Sequence, residues 1–182
     1  HIHLYDQPKI DGVFGLWYGK GPGLDRALDA IRHANMGGVA KYGGMVLAVG
    51  DDATGKSSTL AYQSEQTFIA AGVPFFYPRS IHDIIPMGLQ AFALSRLAGC
   101  CVGMKIVVDT ADASSIIDLD QIRPEIAASD ESGPVHIGRH DPALLREDRL
   151  FNLRLPAVSR FQTAQNINSV IASQPANGKL GI

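Results

Sequence analysis

Between Gly12 and about residue 110 the chain alternates four times between a short apolar run and a segment of helical period. That alternation predicts an α/β domain, a largely parallel sheet flanked by helices. The runs are G-V-F-G-L-W-Y (12–18), M-V-L-A-V (45–49), V-P-F-F-Y (73–77) and C-V-G-M-K-I-V-V (101–108). The run at 45–49 is apolar at every position, as expected of a central strand covered on both faces. The first run reads as a short buried strand, with Trp17 and Tyr18 at core and rim. Helices are expected from Asp25, as N-cap, to Asn35, from Ser57 to Ala71, and from Ile81 to Leu97, where Pro86 kinks or restarts the helix. G-K-G-P-G (19–23) reads as a turn, and Gly37 and Gly38 end the first helix. Right-handed crossovers bring ligands to the carboxyl ends of parallel strands, where loops 19–23, 50–56, 78–80 and 109–112 fall.

After Ser115 the pattern is lost. Residues 12–115 read as one domain, and 116–182 as a linker and the start of a following segment. One amphipathic helix is expected over Pro156–Ile171, with Val158, Phe161, Ala164, Ile167 and Ile171 inward. The close, K-L-G-I, stops as an apolar run begins, which suggests a piece of a longer polypeptide. A net charge of -2 implies no polyanionic partner, so nucleic acid is not expected. No run approaches the length of a membrane span. The adjacent Cys100 and Cys101 lack metal-site spacing and read as buried strand residues in a reduced, cytoplasmic setting. His136, Arg139 and His140 read as a solvated loop.

V-G-D-D-A-T-G-K-S-S-T (49–59) spells the phosphate loop G-x-x-x-x-G-K-[ST] letter for letter. A nucleotide site there is one reading. Against it, Asp51 and Asp52 set two carboxylates where a triphosphate would lie, a repulsion on the order of several kcal/mol in a partly dry site. A third reading is a non-catalytic association module.

Three collinear stretches carry a closer likeness: W-Y-G-K-G-P-G-L-D-R, R-H-A-N-M-G-G-V-A-K-Y-G-G-M-V-L-A-V-G-D-D and K-S-S-T-L-A-Y-Q-S-E. With V-P-F-F-Y-P and S-R-L-A-G-C-C-V-G-M-K, they make residues 13–109 resemble the indolepyruvate ferredoxin oxidoreductases, within the 2-oxoacid:ferredoxin oxidoreductases. That family has other residues where this chain has Ala53 and Gly55, so the likeness treats the phosphate-loop spelling as accidental. The resemblance implies the pyrimidine-side domain of a thiamine diphosphate enzyme. Such an enzyme oxidatively decarboxylates a 2-oxo acid to an acyl-CoA and passes electrons through iron–sulfur clusters to ferredoxin. It also implies that the glutamate activating the pyrimidine lies upstream of W-Y-G-K-G-P-G. The diphosphate and Mg2+ would be held by a second domain with a G-D-G motif. Neither G-D-G nor a cysteine cluster occurs here, so this chain is expected to be inactive alone. Its expected partners are the remaining domains or subunits, ferredoxin, the 2-oxo acid and coenzyme A, in a homo-oligomer.

On that basis Lys20, His33 and Lys56 are the catalytic candidates. Gly19, Gly21, Asp51, Asp52, Ser57 and Ser58 are the cofactor-contacting ones, and no metal ligand is assigned. Each has a plainer alternative. Lys20 suits a solvated turn, and Asp51 and Asp52 suit capping of the next helix. Lys56, Ser57 and Ser58 suit a helix start whose exposed N–H groups would take a substrate carboxylate or simply be capped. His33 suits the end of its helix. Glu65 reads as a helix residue, with replacement of the missing glutamate as its other role.

Overall fold

The computed structural model describes residues 12–122, 134–138 and 140–168. Four strands form one sheet: β1 (Phe14–Tyr18), β2 (Met45–Asp51), β3 (Phe75–Phe76) and β4 (Cys101–Val107). Their order is β1-β2-β4-β3, and every pairing is parallel. The expected parallel sheet with helices on both faces is what forms. The helices are α1 (Gly21–Arg26), α2 (Leu28–Gly37), α3 (Glu65–Ala70), α4 (Ile81–Ala98), α5 (Val108–Ala111), α6 (Ala143–Arg149) and α7 (Leu155–Ala164). A π-helical turn, Leu150–Arg154, joins α6 to α7.

Alternation along β2 and β4 divides the core in two. On one face Met45, Leu47, Val49 and Cys101 pack with Leu24, Ile31 and Phe68 from α1, α2 and α3. On the other, Val46, Val102 and Met104 pack with Ala91, Leu94 and Ala98 of α4, and with Ala157 and Phe161 of α7. Phe68 is fully buried and stacks on Phe75 at a centroid distance of 5.4 Å. Burying such a side chain contributes about 1.5–3 kcal/mol. The amphipathic helix read at 156–171 runs from Leu155 to Ala164, with Phe161 inward and Val158 and Ile167 against the same core, whereas Ala164, expected inward, is exposed. Ile171 and Arg139 lie outside the described residues.

Buried polar groups tie the layers. The Asn35 amide donates to the Ala71 and Gly72 carbonyls and accepts from the Cys101 N–H. Arg154 is fully buried, and its guanidinium donates to the Asn35, Met36 and Gly37 carbonyls at the end of α2, and to Val135 O. A cation there complements the negative end of the helix dipole. Cys100 and Cys101 are buried, and burial pushes both thiols up to about 12, so neither is a ready nucleophile.

Four local expectations are corrected. Residues 19–23 are not all turn: α1 begins at Gly21, with Pro22 in its first turn, where a missing N–H costs nothing. Asp25 therefore lies inside α1 rather than capping a helix. No helix spans 57–63, and α3 starts only at Glu65. Finally, among the described residues β1 is an edge strand, and Trp17 is 60% exposed.

Candidate functional site

At the carboxyl ends of β1 and β2 the chain folds residues 19–25 against residues 50–67. The Lys20 ammonium donates to the Ser57 carbonyl at 2.6 Å. Gly50 sits so close to the β1 exit that a Cβ there would lie 2.5 Å from the Gly19 carbonyl oxygen. Gly21 lies under the Tyr62 ring, where any side chain would collide. The Tyr62 hydroxyl donates to Asp25 at 2.8 Å, and Thr67 donates to the same oxygen at 3.0 Å. Burial, with the Asp25 carboxylate assisting, pushes the Tyr62 phenol up to about 12.

The loop from Asp52 to Tyr62 is closed by its own backbone, Tyr62 N–H donating to Asp52 O at 3.0 Å. Inside it the Asp52 carboxylate accepts from the Lys56 and Ser57 N–H groups, each at 2.8 Å. These backbone bonds, that from Ser57 foremost, hold the Asp52 carboxyl below the usual carboxylate range despite burial. Asp52 thus occupies the place an anion would take on those amides. The exposed N–H groups expected at Lys56 and Ser57 are already bonded, and no helix dipole stands behind them. The phosphate-loop letters are present without the phosphate-loop geometry.

Asp51 reaches past its neighbour to Ser64, the residue that opens α3. It is buried at the end of β2 and accepts from Asp52 N–H (2.8 Å), Ser64 N–H (3.0 Å) and Ser64 Oγ (2.9 Å). Lys105 lies diagonal to it on β4, opposite Val49 and on the same face of the sheet. Its ammonium reaches Asp51 at 3.2 Å and pairs with Glu65 at the start of α3. It also lies 4.5 Å from the centre of the Tyr77 ring. Burial alone would lower the Lys105 pKa, but the Glu65 and Asp51 carboxylates outweigh it and hold it raised. Glu65 Oε2 is buried with no hydrogen-bond partner among the described residues.

The structure therefore brings together Gly19, Lys20, Gly21, Asp51, Asp52, Lys56, Ser57 and Ser58 in one corner. Lys20, Lys56 and Ser57 are on its outside, and Asp51 and Asp52 are within. His33 is not in this corner. It is exposed on α2 and faces Asp29 of the same helix at 3.7 Å. Lys105, Ser64, Tyr62 and Tyr77 are not legible as site residues from the motifs. One signal pointed to Lys105: a lone lysine inside the apolar run C-V-G-M-K-I-V demands a buried counter-charge.

A groove of about 790 Å³ runs along the outer side of β3 between α4 and α7, lined by Phe76, Tyr77, Val158 and Phe161 among others. Tyr77, which lines it, also lies against Lys105. Among the described residues no group of three His, Cys, Asp or Glu is placed to hold a metal ion. Among them, too, no helix is long and apolar enough to cross a membrane. Comparison of the chain with protein-family models, with curated proteins and with solved structures finds no match.

Proposed function

We propose that this chain is the pyrimidine-side domain of a thiamine diphosphate-dependent 2-oxoacid:ferredoxin oxidoreductase of the indolepyruvate type, acting within a larger assembly. One observation carries the reading. W-Y-G-K-G-P-G lies about thirty residues before the segment that holds V-G-D-D and K-S-S-T, yet the two meet at one end of a parallel sheet, joined by the Lys20–Ser57 bond and the Gly19–Gly50 contact. Strand carboxyl ends are where such sheets bind ligands.

The residues present fit one part of the cofactor and not another. Glu65 Oε2 is a buried acceptor in want of a donor, as an amino-substituted ring would supply. The loop amides are filled by Asp52, so the diphosphate and Mg2+ have no place here. That agrees with a second domain holding them. When bound, thiamine diphosphate supplies the electron sink for decarboxylating the 2-oxo acid.

The chain's own contribution is positional. Lys105 locks β4 to β2 and α3, which fixes Glu65 beneath the strand ends. Lys20 is exposed and holds Ser57 O with one of its three donors, leaving donors to orient a substrate carboxylate.

The test is reconstitution with the G-D-G and cysteine-cluster domains. Thiamine diphosphate binding is read by calorimetry, and activity by dye reduction dependent on a 2-oxo acid. Lys20→Met should raise KM for the oxo acid about tenfold, the loss of one charge-assisted bond. Glu65→Gln should weaken cofactor binding without that change in KM. Full activity and affinity in both variants, or a melting temperature raised by Mg·ATP but not by thiamine diphosphate, would overturn the reading.

A further inference from the structure

Lys20 stands between two glycines, and each is pressed against a different part of the fold. On one side Gly19 lies against Gly50 of β2, so closely that a Cβ on Gly50 would come within 2.5 Å of its carbonyl oxygen. On the other side Gly21 is buried under the Tyr62 ring. The first contact is backbone on backbone and is set by the sheet. The second is made by one side chain. From this we infer that Tyr62 is the positioning residue for Lys20: it sets where the ammonium stands, and so how well the corner receives a carboxylate. The carboxylate role of Lys20 is taken from the proposed function, and the inference rests on that reading.

Tyr62 grips α1 at two points. Its ring covers Gly21, the first residue of the helix. Its hydroxyl donates to Asp25 Oδ1 at 2.8 Å, four residues on and so one turn along the same face. Ring and hydroxyl together span the first turn of α1. Thr67 of α3 donates to the same oxygen at 3.0 Å, which ties that turn to a second helix. The phenol, pushed up to about 12, stays protonated and remains a donor through the neutral range. Tyr62 is itself fixed, because its N–H donates to Asp52 O at 3.0 Å and closes the loop that carries Ser57.

Lys20 is bound to the same turn. It directly precedes α1 in an extended conformation, and its C=O accepts from Gly23 N–H at 3.0 Å. Its backbone therefore moves with the start of the helix. Its ammonium then crosses to Ser57 O, on the loop that Tyr62 closes. Tyr62 thus touches both sides of the Lys20–Ser57 bond. A long, flexible side chain keeps one place only when both ends of its reach are held.

The experiment compares Tyr62→Phe and Tyr62→Ala, each alone and combined with Lys20→Met, in the assembly reconstituted with the G-D-G and cysteine-cluster domains. Tyr62→Phe keeps the ring over Gly21 and loses the Asp25 bond, whereas Tyr62→Ala loses both. KM for the 2-oxo acid should rise about threefold in the first and about tenfold in the second, with kcat within about twofold of wild type. In the Lys20→Met background neither change should raise KM further, because the group being positioned is gone. A purely structural role would give the same loss in both backgrounds. Hydrogen exchange of the full chain supplies a readout free of the cofactor. Amides of 20–26 and 56–59 should exchange faster in Tyr62→Ala, while those of α4 and β4 keep their wild-type rates. If Tyr62→Ala does not fold, Tyr62→Phe decides by the same two measurements. The inference is overturned by an unchanged KM in the folded variants where Lys20→Met raises it, or by equal effects in the two backgrounds. Exchange that stays as in the wild type, or rises evenly along the chain, also overturns it. If Lys20→Met itself leaves KM unchanged, the substrate reading fails, and the exchange pattern alone then judges whether Tyr62 holds Lys20 in place.

Discussion

Lys105 stands in a strand whose other side chains are apolar, and its two carboxylate partners come from different elements. Its side chain is 4% exposed, so removing the ammonium leaves Asp51 and Glu65 facing each other with no cation between them. Lys105→Met is expected to cost about 3–5 kcal/mol in urea unfolding. Adding Asp51→Asn and Glu65→Gln should recover much of that loss, since the uncompensated charge is then gone. Asp52 gives a pH signature of its own. Its folded pKa is depressed, so its contribution is complete above the unfolded carboxylate value of about 3.9 and is lost as pH falls through the folded value. Stability of the wild type should therefore drop more steeply below pH ~4 than that of Asp52→Asn, measured as denaturation midpoints across the acid range.

The strand–helix alternation was legible because periods of 2 and 3.6 leave different marks on a sequence, and β2, β4 and α4 lie close to where those marks fall. The segment from Ser57 to Tyr62 misleads for a physical reason. Nothing in S-S-T-L-A-Y forbids a helix, but Asp52 captures the amides that would start one, and Tyr62 is docked over Gly21. Tertiary contacts decide such stretches, and periodicity does not record them. β1 misleads in the opposite way. Its aromatic and branched residues mark a strand correctly, but composition cannot say whether a strand lies at an edge. The strand-end corner was half legible: Asp51, Asp52, Lys20 and Ser57 were singled out within motifs, while Lys105, which ends one, acts through a cross-strand register that only the fold reveals. The junction of β1 and β2 offers a test of that corner. Gly50→Ala must separate Gly50 from the Gly19 carbonyl, and should cost about 1–3 kcal/mol in thermal or chemical unfolding. Lys20 should lose its hold on Ser57 in the same variant, seen as faster amide exchange across 56–59.

As a whole the molecule is bound together by contacts remote in sequence. β2 and β4 form the centre of the sheet with α4 and two strand connections between them, and α7 closes one face of the core. Arg154→Met keeps much of the side chain's bulk but orphans carbonyls of Asn35, Met36, Gly37 and Val135. With about 1–3 kcal/mol for each buried acceptor left unpaired, this variant should be among the most damaging single changes, read as a large fall in melting temperature. Trimming the chain before Leu150 should do the same and expose Val46 and Met104 as well.

The bond from Arg154 to Asn35 joins residues 119 apart. On a ribosome, the end of α2 must wait, its carbonyls bare, until the tail that seals it has been made. A stall anywhere before codon 154 would leave a half-built sheet with its last helix cap missing, a form that chaperones and proteases are suited to catch. The sealing of α2 thus waits on a residue 119 positions further along the chain.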